Sequence, residues 1–204
     1  GSHDLLIGKD VLGRLFDAGF RIGAGNPTYL REARAEKTTA PALADLIRAG
    51  ASVRGLARTD EFAYSIAGDN AHYGTPPNAA LPGALPGGSS SGAASAVALG
   101  QADGGLATDT AGSIRVPASY QGLWGLRTTH GLVPRQGVLP LAQSFDTVGW
   151  LTRDGATLQR VAEWCLSYDG SDSTESVYGE SGDDLPWRFL VPDEVVDAAD
   201  AATR

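Results

Sequence analysis

Methionine is absent from this sequence, cysteine occurs once, and lysine occurs twice, at Lys9 and Lys37. A lone thiol, Cys165, excludes an intrachain disulfide framework and suits a reducing, cytoplasmic setting. No apolar run nears the ~20 residues that span a bilayer, so no membrane partner is expected. Positive charge is also scarce. The net charge of −8 argues against a nucleic-acid partner gripped through its phosphates. Beyond the opening "GSHD" only His72 and His130 remain, neither with a partner at metal-ligand spacing, so no metal and no cofactor are expected. The missing methionine and that opening suggest that residues 1–3 are a scar of tag removal, and that the natural start lies upstream of Asp4 or the first residues were replaced.

What is present reads as a folded α/β chain. Apolar residues make up 42% of it, enough to bury a core. "DLLIGKDVL" (Asp4–Leu12) reads as a short buried strand. The Gly- and Pro-punctuated stretch from Arg14 to Thr39 reads as loop. Thr39 is then a candidate cap for a helix with Pro41 in its first turn, Leu43, Leu46 and Ile47 on its apolar face, and Gly50 as its stop. Ala51–Ala57 reads as a strand, and Thr59 as the cap of a short helix with two acids in its first turn. A long Pro/Gly-rich connection follows, then a small-residue helix ("AASAVALGQ"), a strand ("GGLATDT"), another short helix and a strand around Leu123–Arg127. "DGATLQRVAEWCLSYDG" is amphipathic, with Leu158, Val161, Ala162 and Cys165 on one face. Trp124, Trp150 and Trp164 read as core or pocket walls. Ser171–Asp184 is polar and acidic, expected to be an exposed loop, and the strand-then-helix pattern after Trp187 runs off at Arg204. Alternating helices and strands predict an α/β class with a layered sheet. A chain that stops inside a new β–α unit reads as a fragment.

The stretch "PGGSSSGAAS" (Pro86–Ser95) admits three readings. A flexible linker would be flanked by polar, low-complexity sequence, whereas this one runs into an apolar helix. Gly88–Gly92 also spells a nucleophile elbow with Ser90 as nucleophile, but His130, its sole histidine candidate, follows only forty residues later. The third reading pairs a serine with a lysine base. A lysine serves if desolvation or a donor network lowers its pKa by several units from ~10.4. Lys9, directly after an apolar strand, is the better placed of the two.

Three stretches, "IGKDVL" (Ile7–Leu12), "PGGSSSGAASAVALG" (Pro86–Gly100) and "DTAGSIRVPASYQGLWGLRTTHG" (Asp109–Gly131), together resemble the amidase signature family. "RTDEFAYSIAGDNAHYGTPPN" and "SFDTVGWLTRD" (Ser144–Asp154) fit the same pattern. Within the family the similarity is to the branch of indole-acetamide hydrolases and transamidosome A subunits. The resemblance implies that residues 4–204 are the N-terminal part of a single domain with a layered α/β/α fold and a central mixed sheet. It also implies a Ser–Ser–Lys triad: Ser113 as nucleophile, Ser89 as the bridging serine held through a cis peptide, and Lys9 as the base. It implies an oxyanion hole of backbone N–H groups from Thr110, Ala111, Gly112 and Ser113. The family usually has glycine where this chain has Ala111; a positive φ there would strain alanine. Asp109 and Arg115 flank the turn and are expected to pair. Ser90 and Ser91 are expected to support Lys9 or its loop, or to cap the following helix.

The expected activity is hydrolysis of a small carboxylic amide through an acyl-enzyme on Ser113, without a cofactor. The alternatives are a glutaminase-type amidotransferase subunit, which needs partner subunits, and a non-catalytic docking module of the same fold. Family members are considerably longer, so a separate or missing C-terminal segment is expected to complete the acyl pocket, and a homodimer is left open.

Overall fold

The computed structural model describes the backbone of Leu6–Lys9 and residues 19–166. The expected acidic loop at 171–184 and the pattern after Trp187 lie outside the described residues, as do residues 1–3. Strand β1 (Leu6–Lys9) is followed by helices α1 (Pro27–Glu32) and α2 (Pro41–Arg48), strand β2 (Ser52–Leu56) and a 3₁₀ turn at Glu61–Ala63. Then come α3 (Ser91–Ala98), β3 (Gly104–Asp109), α4 (Arg115–Gln121), β4 (Trp124–Arg127), β5 (Thr147–Thr152) and α5 (Gly155–Leu166). The five strands lie in the order β2-β1-β3-β5-β4. β1 runs parallel to β2 and β3, while β5 runs antiparallel to both β3 and β4. The sheet is therefore mixed.

Side chains alternate across the strands and so divide the core into two layers. On one face Leu106, Val148 and Trp150 pack with Leu43 and Leu46 of α2 and Val161 of α5. On the other, Ala107 and Leu151 pack with Ala93 and Ala94 of α3 and with Ile114 and Ala118 at α4. Small residues set how closely the second layer approaches. A β-carbon on Gly105 would stand 3.1 Å from that of Ala93, and one on Gly125 would stand 2.7 Å from that of Ala118. Every residue of β3 and β5 is buried, which makes this antiparallel pair the centre of the fold.

Several local expectations are corrected. Within the stretch read as loop, Pro27–Glu32 is helical: Asn26 Oδ1 accepts from the Tyr29 amide at 2.8 Å and Pro27 occupies the first turn. Helix α2 begins with Ala40 at the capping position and no side-chain cap, so Thr39 does not cap it. Its buried face is Ala42, Leu43 and Leu46, while Ile47 is 44% exposed. The helix expected after Thr59 shrinks to one 3₁₀ turn, because Phe62 and Ala63 take φ of 50° and 59° and leave the helical region. β5 has no counterpart in the sequence reading. Trp150 is in the core, but Trp124 and Trp164 are exposed. Cys165 packs against the first core layer beside Leu158 and Leu166.

Candidate active site

Parallel strands carry their C-terminal ends to the same edge of a sheet. Lys9 closes β1 in register with Leu106 of β3, and β3 continues three residues to Asp109 before entering the turn that holds Ser113. Lys9 thus sits on the strand beside the one that delivers Ser113; its side chain lies outside the described residues.

The Ser89 loop is no linker, since Pro86–Ser90 is buried throughout. The Gly88–Ser89 peptide is cis. Ser89 is 1% exposed, and its carbonyl accepts from Thr59 Oγ1 at 2.7 Å and from the Asp60 amide at 3.2 Å. The next amide, that of Ser90, donates to the Ser113 carbonyl at 3.2 Å, which ties the two serine loops together. Ser90 occupies the capping position of α3 without a side-chain cap; its Oγ reaches the Thr108 carbonyl at 3.4 Å. Ser91 Oγ donates to Asp60 Oδ1 at 3.2 Å. His130 is exposed and bonds the Gln143 carbonyl instead. Among the described residues Ser90 and His130 share no hydrogen-bond partner, so nothing there supports the elbow reading.

Ser113 is buried in a turn built around Asp109, which is wholly inaccessible to solvent. The carboxylate accepts from the amides of Gly112 at 2.9 Å and Ile114 at 3.1 Å. Arg115 adds a two-pronged ion pair, Nε and Nη2 at 3.1 and 3.0 Å, and Arg127 Nη1 adds another contact at 2.8 Å. Burial pushes the Asp109 carboxyl up, but its bonds to Arg115, the Ile114 amide and Arg127 pull harder, so it lies below the usual carboxylate range. The Asp109 carbonyl accepts from Thr147 Oγ1 at 2.9 Å, and Thr110 Oγ1 bonds the buried Asp146.

Two features of the turn bear on the expected oxyanion hole. The Gly112 amide donates to Asp109 Oδ1 at 2.9 Å. The left-handed φ of the turn, 124°, falls on Gly112, whereas Ala111 is not among the residues with positive φ. Alanine at 111 is therefore unstrained on that count. The sequence reading missed Thr59, Asp60, Arg127 and Asp146. Thr59 and Asp60 passed as ordinary helix-start residues, and nothing local marks Arg127 or Asp146 as partners of the turn.

The model of the family described as "Amidase" matches residues 19–189. This chain belongs to the amidase family. It is 54% identical over 148 residues to Amidase 1 of Arabidopsis thaliana, covering 72% of this chain and 35% of that protein. Outer envelope protein 64, chloroplastic, of the same plant is 43% identical over 153 residues, covering 74% of this chain and 26% of that one. Among solved structures, an inhibitor-bound protein complex described for an s-triazine catabolic enzyme superposes with a TM-score of 0.76 at 34% identity, over 82% of this chain and 36% of that chain. The chain thus spans about a third or less of the length of these relatives, and its mixed α/β fold is the corresponding part of the amidase fold.

Proposed function

We propose that this chain carries the nucleophilic machinery of a carboxylic amide hydrolase. The observation that carries the reading is the join between two buried serine loops: Ser90 N–H on the Ser113 carbonyl, with Ser89 and Ser113 on either side of it. Neutral Lys9 accepts the Ser89 proton, Ser89 accepts the Ser113 proton, and Ser113 Oγ bonds to the amide carbon. The oxyanion faces the backbone amides of the turn, where one donor of this kind contributes about 3 kcal/mol to the transition state. Collapse breaks the C–N bond and returns the proton to the leaving amine or ammonia. Water then attacks the acyl-serine along the same relay and releases the acid. The substrate is a small carboxamide, with the rest of the acyl pocket supplied by the part of the family fold beyond this third. A cytoplasmic setting is part of the same proposal, which a single cysteine suits.

The test is labelling with a fluorophosphonate, whose P–F bond is displaced by an activated serine, followed by peptide mapping. The expected adduct is on Ser113, absent in Ser113→Ala and formed at least about a hundredfold more slowly in Lys9→Ala, within the range of general-base effects. An adduct on Ser90, or labelling indifferent to Lys9, refutes the relay.

A further inference from the structure

Resting on the relay just described, we propose that Asp60 is a positioning residue for Ser89. It holds the Gly88–Ser91 turn from both sides so that the Ser89 hydroxyl keeps its place between base and nucleophile. On one side, the Asp60 amide donates to the Ser89 carbonyl at 3.2 Å. On the other, its carboxylate takes the Ser91 hydroxyl at 3.2 Å through Oδ1 and the Gly68 amide at 3.0 Å through Oδ2. A β-carbon added to Gly88 would collide with Oδ2, so the carboxylate also forms the wall against which the turn rests.

The chemistry of this carboxylate is unlike that of Asp109. It is fully buried, yet among the described residues no arginine or lysine pairs with it; its partners are the neutral donors Gly68, Ser91 and Ser65. Burial pushes its carboxyl above the usual range, against the pull of those bonds, and the nearby charge of Asp69 pushes the same way. A buried acid is costly to keep, so its place here points to what its oxygens hold. What the carboxylate supplies that a neutral group of its size does not is two acceptor oxygens, one for the Gly68 amide and one for Ser91. Three bonds from one residue thus bracket Ser89 at positions 89 and 91 and anchor them to the loop at Gly68.

The experiment compares Asp60→Ala and Asp60→Asn with the unsubstituted chain, by fluorophosphonate inactivation kinetics and by amide hydrogen exchange. Misplacing a relay group by about an ångström costs on the order of a hundredfold. The expected result is an inactivation rate constant lower by at least about tenfold in Asp60→Ala, with the probe's KI unchanged. Asp60→Asn, which keeps one of the two acceptors, recovers only part of that loss. Exchange should accelerate at the amides of 88–92 and stay unchanged in β3 and β5. A wild-type rate constant in Asp60→Ala overturns the proposal, as does a loss shared equally by KI and by exchange across the whole fold. If the unsubstituted chain gives no adduct on Ser113, the hydrolase reading fails. The exchange arm then decides the Asp60 claim separately: unchanged protection at 88–92 overturns it and local acceleration upholds it.

Discussion

Replacing Asp109 by asparagine keeps the side chain's shape and removes its charge. One oxygen becomes an NH₂ group, and either choice turns it toward donors. At Oδ1 it faces the Gly112 amide, Arg115 Nη2 and Arg127 Nη1; at Oδ2 it faces the Ile114 amide, the Arg115 amide and Arg115 Nε. Breaking a buried ion pair from one side costs about 3–5 kcal/mol. Arg115 is 55% exposed and Arg127 24%, so both recover hydration and the lower end, about 3 kcal/mol, applies. At about 2–4 °C per kcal/mol for a chain of this size, Tm should fall by about 6–12 °C. Circular dichroism melts and urea titrations measure the change. Arg127→Ala should cost more than Arg115→Ala, because its guanidinium is the more buried of the two. The pH dependence has a definite sign. The folded Asp109 pKa is depressed, so its stabilisation is complete above the ordinary carboxylate range. It is lost as pH falls from about 4 through the lower folded value. Asp109→Asn should flatten that acid limb. A Tm loss below about 2 °C, or an unchanged acid limb, would refute the account of the turn.

The glycine of the turn gives a paired prediction. Ala111→Gly should leave fluorophosphonate reactivity unchanged and cost at most about 1 kcal/mol of stability through the freer unfolded chain. Gly112→Ala, at φ 124° and 3.0 Å from Val116 Cγ2, should cost about 1–3 kcal/mol and slow labelling of Ser113. Faster labelling in Ala111→Gly would mean that the alanine does distort the hole. Cys165, with its thiol pushed up to about 12 by burial and by the charge of Asp45, should resist iodoacetamide at pH 8 in the folded chain. Mass spectrometry should show alkylation on the order of a thousandfold slower than after unfolding, since an ordinary thiol has a pKa of about 8.5. Equal rates in the two states would contradict the packing of α5.

The elements that the sequence placed correctly are those punctuated locally. Gly50 ends α2, the small residues from Ala93 onward make α3, and the apolar run before Lys9 makes β1. β5 escaped because its strand character comes from pairing on both sides, with Gly104–Asp109 of β3 38 to 48 residues back and with β4 22 to 28 residues back. The short α1 could have been read from Asn26-Pro27, an asparagine cap followed by proline, had the surrounding glycines not pointed to loop.

By itself the sequence determined the family, the order of the three candidate catalytic residues and the class of fold. These depend on which residue types follow one another, and the serine-rich and "TAGSIR" stretches are specific enough to carry them. Tertiary structure alone decided who holds what. Asp60 grips a turn that lies about thirty residues on, Arg127 reaches back to Asp109, and Thr110 meets Asp146 across 36 residues. It also decided that Gly112, and not Ala111, takes the left-handed conformation, and that the Gly112 amide donates to Asp109. The reason is physical: a buried polar group must find a partner wherever packing puts one, and packing brings together residues that no local pattern relates.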